Sequence, residues 1–147
     1  MTMNLQKDLR EFVELLNALD VHYLIVGAFA VAHHGYARYT ADVDLFVEKS
    51  SENAERILRA IEQFGFGDIG LSKEDFESKD HVVQLGVSPN RIDILTILSG
   101  VSFEEAWDSR EWGTIGELRV PFISRDMLKR NKLAIGRTQD LADLEHL

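Results

Sequence analysis

The 147-residue chain contains no cysteine and only two prolines. Without thiols it can form no disulfide and no thiolate-held metal centre, so oxygen or imidazole ligands must take any metal. Zero cysteine also suits a reducing compartment, and the expected location is cytoplasmic. Long apolar runs are missing as well. None approaches the roughly 20 residues needed to cross a bilayer, and the opening segment MTMNLQKDLRE is too polar for a secretory leader. No membrane is therefore expected as a partner. Positive charge is scarce: 16 Lys and Arg against 25 Asp and Glu give a net charge of −9. Such a surface repels a phosphate backbone and argues against duplex DNA as a partner.

What the chain does have is a core. Hydrophobic residues make up 45% of it and charged residues 28%, which suits a single domain over residues 1–147. Residues 4–19 carry Leu5, Leu9, Phe12, Val13, Leu16 and Leu19 at helical steps. Val21–Gly27 is a short apolar run without alternation, the pattern of a strand buried on both faces. A small helix over 28–34 and a strand over 41–48 follow. Ser50, Ser51 and Asn53 offer caps for a helix reaching about Phe64. His81–Val87 and Arg91–Leu98 read as a hairpin turned at Ser88-Pro89-Asn90. A short helix over 102–109, a turn and strand within 113–123, and helices over 124–132 and 139–147 complete an α/β chain with a mixed sheet.

The segment from Val26 to Val47 holds the residues least suited to plain packing. Asp42 and Asp44 alternate with Val43, Leu45, Phe46 and Val47. Strand residues two apart point to the same side, so two carboxylates leave an apolar strand together. Like charges in poor solvent are costly, and a cation is the simplest compensation. Asp93 repeats the theme in Arg91-Ile92-Asp93-Ile94-Leu95. If its strand lies beside the first, three carboxylates surround a space suited to Mg²⁺ or Mn²⁺. Alone, each acid has a plainer reading: a solvent-facing side of the sheet for Asp42 and Asp44, and a pair with Arg91 for Asp93.

Taken together, these pieces resemble the nucleotidyltransferase superfamily with the DNA polymerase β-like fold. Its pattern is an apolar residue, Gly, and Gly or Ser, then roughly nine to thirteen residues, then Asp-apolar-Asp/Glu-apolar, with a third acid on a later strand. Here Val26-Gly27-Ala28 is followed by thirteen residues, Phe29 to Ala41, then Asp42-Val43-Asp44-Leu45, with Asp93 further on. The approach Gly35-Tyr36-Ala37-Arg38-Tyr39-Thr40 and the tail from Lys132 through Arg137 to Asp140 and Asp143 look like the small bacterial branches. The resemblance implies a nucleotidyltransferase fold and transfer of a nucleoside monophosphate from a triphosphate to an acceptor hydroxyl. Asp42, Asp44 and Asp93 would be catalytic and would hold Mg²⁺ or Mn²⁺, as two ions. Gly27, Ala28, Arg38, Thr40, Lys132 and Arg137 would meet the nucleotide, with ATP the expected triphosphate.

The chain departs from the pattern at Ala28, which lacks a hydroxyl. If that hydroxyl bonds a phosphate, about 1.5–3 kcal/mol of binding is lost. A nucleotide-binding or antitoxin-like partner protein with weak catalysis is thus one alternative, and a metal-dependent phosphohydrolase another. The acceptor, whether small molecule, protein or RNA end, is not written in the residues. So short a chain suggests a protein partner or a homodimer to complete the cleft. As bare residues, Lys132 and Arg137 read as solvated helix-end charges, and Asp140 and Asp143 as structural. His33 and His34, as helix neighbours about 100° apart, are not expected to share an ion. Trp107 and Trp112 read as core or partner surface before base pocket.

Overall fold

The computed structural model describes residues 5–36, 42–66, 69–86 and 91–147. In chain order the elements are α1 (Leu5–Ala18), β1 (Tyr23–Val26), α2 (Gly27–His33), β2 (Val43–Val47) and α3 (Ser51–Ile61). After α3 come α4 (Glu74–Glu77), β3 (Val82–Leu85), β4 (Ile92–Leu95), α5 (Phe103–Asp108), β5 (Glu111–Ile115), β6 (Leu118–Phe122), α6 (Arg125–Ile135) and α7 (Thr138–Leu144). The strands form one mixed sheet in the order β3-β4-β2-β1-β6-β5. The pairs β1–β2, β3–β4 and β5–β6 are antiparallel; β2–β4 and β1–β6 are parallel.

The local signals act as expected at the helix starts. Ser50, Ser102 and Ser124 each accept a hydrogen bond from the backbone N–H three residues on, which satisfies one of the open donors of a first turn. The apolar face of α1 (Leu9, Phe12, Val13, Leu16) and that of α3 (Ala54, Ile57, Ala60, Ile61) join the central strands in one buried cluster. All four residues of β1 are buried, in keeping with its unbroken apolar run. Asn53 ties the layers together: its amide donates to the carbonyls of His22 and Glu48, and its oxygen accepts from the His22 N–H.

Three expectations need correction. Residues 111–123 form a hairpin of two strands, not one, turned at Gly116 with φ +60. The outer strand, β5, lies at the sheet edge and is largely exposed, so its sequence carries no apolar alternation. The long helix after Ser50 ends regularly at Ile61, and a π-helical turn over Glu62–Phe66 follows, broken by Gly65 at φ +105. Finally, β2 begins at Val43, so Asp42 lies just before the strand rather than within it. The expected turn at Ser88-Pro89-Asn90 lies outside the described residues, although the strands it joins pair as a hairpin would. Among the described residues no helix is long and apolar enough to cross a membrane.

Candidate active site

Adjacent parallel strands set the site. In the β2–β4 register Asp44 lies directly opposite Asp93, and on the other side of β2 it faces Val26. Side-chain alternation keeps Val43 and Leu45 in the core while Asp44 turns to the half-open side. Asp42, Asp44 and Asp93 line one cavity of about 510 Å³ together with Val26, Gly27, Arg91, Lys132 and Arg137. The cavity was not expected to include Leu95, Leu98, Ser99, Asn131 and Ile135, yet they complete its wall. Asn131 is buried and donates to the Ser99 carbonyl. Its place beside Lys132 on α6 was the available signal.

Arg91 is the site's own counter-charge. Its guanidinium donates to both Asp93 oxygens, Nε–Oδ1 at 2.7 Å and NH2–Oδ2 at 3.1 Å. It also stands 3.6 Å from Asp42 Oδ2, while its backbone N–H donates to Asp42 Oδ1 at 3.1 Å. This two-pronged contact is the geometry in which Arg–carboxylate pairs are strongest. Among the described residues, the three aspartates are not a group whose ligand atoms all lie within 4.8 Å of one another.

One guanidinium does not balance three carboxylates. Burial pushes the Asp44 carboxyl up to about 7, and the negative charge of Asp93, a hydrogen bond to Asp93 and the charge of Asp42 add to the rise, against a smaller pull from Lys132. A half-buried carboxyl held near neutrality beside two others is a place where added positive charge is favourable. Gly27 shows how closely Asp44 is accommodated. A Cβ at Gly27 would stand 2.1 Å from Asp44 Oδ2, and its φ is +65. Only glycine leaves the carboxylate this room and adopts this backbone without strain. Three hard oxygen donors in a cradle closed by a glycine fit Mg²⁺ or Mn²⁺. Gly27→Ala is expected to cost about 1–3 kcal/mol through backbone strain and to push Asp44 out of place. Urea unfolding and a nucleotide titration measure the two effects.

The remaining sequence-predicted residues divide. Lys132 lines the cavity but is no solvated helix-end charge: it is 4% exposed, with Nζ 3.3 Å from Asp140 and 3.1 Å from Asp143. The bare-residue reading fails because α7 folds back on α6 and brings two fully buried aspartates to it. Arg137 fits that reading better. Its side chain is 69% exposed, and it donates to Asp140 through Nε at 2.7 Å and through its backbone N–H at 3.1 Å. Asp140 is thus a helix cap and an ion partner at once, and Asp140 and Asp143 are structural, as expected. Ala28 lies in the first turn of α2 and is not among the residues lining the cavity. Arg38 and Thr40 lie outside the described residues.

Trp107 and Trp112 stand elsewhere. They line a second cavity of about 360 Å³ with Asn17, His22, Arg110 and Arg119, and Arg guanidiniums lie over both indoles, at 3.9 Å and 4.3 Å. They belong to no pocket of the acid cluster. His33 and His34 are helix-end residues, as expected: α2 stops at His33, His34 turns off at φ −84 and ψ 12, and the rings come to 4.9 Å. The 100° rule holds only inside a helix.

Among solved structures the chain is similar to a crystal structure from Thermotoga maritima described as a "putative nucleotidyltransferase". The TM-score is 0.64 at 17% identity, over 95% of this chain and 89% of that one. At that identity the likeness establishes architecture, and the architecture is the nucleotidyltransferase fold. No family model and no curated protein matches the sequence.

Proposed function

We propose that the chain is a metal-dependent nucleotidyltransferase. The observation that carries this reading is the placement of Asp44 opposite Asp93 on paired strands, with Gly27 hollowed out beside them. Asp42, Asp44 and Asp93 would hold Mg²⁺ or Mn²⁺, as two ions. When bound, the ions would supply positive charge against the triphosphate and the leaving pyrophosphate. The protein's own residues do the rest. Asp93, opposite Asp44, accepts the proton of an acceptor hydroxyl or positions that hydroxyl. The hydroxyl oxygen forms a bond to the α-phosphorus, and the α–β anhydride bond breaks. Pyrophosphate leaves with the electron pair, and the acceptor keeps the nucleoside monophosphate.

Arg91 and Lys132 set the field in which this happens. Arg91 holds Asp93 in one orientation through two hydrogen bonds, a preorganisation that lowers the cost of reaching the reacting geometry. Lys132 is fixed by Asp140 and Asp143 and faces the cavity as a rigid cation. The wall of Leu95, Leu98 and Ile135, with Ser99 and Asn131, gives an apolar bed with a few polar groups, as small-molecule sites have. ATP is the expected donor, and a protein partner or second copy the expected source of the remaining wall.

The test is an acceptor screen. Labelled nucleoside triphosphates, Mg²⁺ and a panel of small hydroxyl compounds, RNA ends and co-purifying proteins are incubated with the full chain. Pyrophosphate release coupled to label transfer, lost in Asp93→Asn, supports the reading. Inorganic phosphate with no labelled acceptor indicates a phosphohydrolase instead. Tight nucleotide binding with no turnover on any acceptor indicates a binding module, the reading that Ala28 keeps open.

A further inference from the structure

Outside the acid cavity, one group of side chains has the composition of a different metal site. His33, His34 and Glu111 each offer a ligand atom, and these atoms lie within 4.8 Å of one another. Two elements, α2 and β5, bring them together. His33 ends α2, His34 caps it, and Glu111 opens the edge strand β5. None of the three lines the acid cavity.

The surroundings fix the donors as a built site would. The His33 ring lies flat on Phe122, with centroids 4.0 Å apart and planes 7° apart. Gly113 leaves it the room: a Cβ there would stand 2.7 Å from a His33 ring carbon. Glu111 Oε2 accepts the Arg125 backbone N–H at 3.1 Å. The Arg125 guanidinium donates to the His34 carbonyl at 2.7 Å, bracing the turn that carries both imidazoles. His34 is buried, and its Nε2 stands 2.8 Å from the Ile123 carbonyl and 3.8 Å from Glu111 Oε2. Hydrogen bonds that orient the ligands from behind are what metal centres need. Burial and the neighbouring His34 lower the pKa of His33, with Glu111 opposing.

We infer that His33, His34 and Glu111 form a binding site for a transition-metal ion of the Zn²⁺ class, distinct from the Mg²⁺-type acid cluster. Two imidazoles and one carboxylate are a zinc donor set, with water taking the fourth position. Mg²⁺ prefers oxygen ligands and would leave the imidazoles unused. Zinc bonds of about 2.0–2.2 Å place neighbouring donors closer than they stand now. Closing that gap draws the exposed His33 and Glu111 side chains toward the buried His34, which serves as the anchor. The Ile123 carbonyl can only accept, so Nε2 carries the His34 ring proton and Nδ1 is the nitrogen left to bind the ion. No electron is transferred. The bound ion clamps the end of α2 to the sheet edge, and α2 is the helix that starts at Gly27.

The test is calorimetry on the full chain without a histidine tag, stripped of metal. Zn²⁺ itself is titrated in the presence of excess Mg²⁺, and the Asp44→Asn background removes the acid cluster as a competitor. The expected result is one Zn²⁺ per chain with a Kd in the micromolar range or below, equivalent to about −8 kcal/mol. His33→Gln and Glu111→Gln, both at exposed positions, should each weaken binding at least tenfold while leaving the melting temperature of the metal-free protein in place. Absence of saturable Zn²⁺ binding would overturn the assignment. So would binding that survives both substitutions, or binding abolished by Mg²⁺. Because the assay reads zinc alone, failure of nucleotidyl transfer leaves the result unaffected.

Discussion

Lys132→Met is expected to be the most destabilising single substitution in the chain. The ammonium is 4% exposed and is shared by two carboxylates that are fully buried, Asp140 and Asp143. Arg137 and Gln139 remain to these acids, the first to Asp140 and the second to Asp143 at 2.8 Å. Neither replaces a buried cation. Removing one partner of a buried charge cluster costs about 3–5 kcal/mol, because the other charges stay behind in poor solvent. For a chain of this size that is a fall of roughly 10–20 °C in melting temperature. The same change loosens the packing of α7 on α6, so nucleotide binding should weaken with it. A control separates the two roles: Lys132→Met combined with Asp143→Asn should recover part of the lost stability and none of the lost binding. Thermal unfolding with a nucleotide titration on each variant reads both.

Asp44→Asn should do the reverse, raising stability while removing function. The folded-state pKa of Asp44 is raised from 3.8 to about 7. The folded protein therefore favours the neutral form. That contribution is complete below the unfolded-state value and is lost as pH rises through about 7, where the carboxylate must ionise beside Asp93 and Asp42. Each tenfold change in proton affinity is equivalent to about 1.4 kcal/mol, so the cation-free protein loses up to a few kcal/mol as the pH rises from the unfolded-state value to about 7. Asn carries no charge to be repelled, so the variant should melt higher than wild type at pH 8 without divalent ions, and the difference should shrink as the pH falls toward 4. Turnover should fall by at least about 10³-fold, equivalent to about 4 kcal/mol of transition-state stabilisation. In wild type, millimolar Mg²⁺ should raise the melting temperature most at high pH, where the carboxylates are ionised.

The two strands that carry Asp44 and Asp93 were legible one by one because each signal is local, an acid among β-branched and aliphatic residues. Their pairing was only a condition in the sequence, since it joins strands some 50 residues apart, and the structure supplies it. Gly27 was legible as a special position, although its observed service is to Asp44, which packs where its side chain would be. The burial of Lys132 was not legible. Its burial depends on α7 folding onto α6, and a lysine near the end of a helix otherwise belongs in water. The contact of Arg91 with Asp42 was hidden because it joins residues 49 positions apart. His33 and His34 were legible as helix-end residues, but Glu111 beside them was not, because it comes from a strand about 80 positions on. The strand β5 was missed because an exposed edge strand does not need an apolar face.

A nucleotide-linked cation titration bears most directly on the acid cavity. Mn²⁺ binding is followed by electron paramagnetic resonance in the presence of a nonhydrolysable ATP analogue, with Zn²⁺ saturating any imidazole site. If Asp42, Asp44 and Asp93 hold the cation, wild type binds Mn²⁺–nucleotide saturably, and Asp44→Asn and Asp93→Asn each weaken that binding at least about tenfold, some 1.4 kcal/mol. Equal affinity in wild type and both variants would contradict the assignment and place the cation elsewhere.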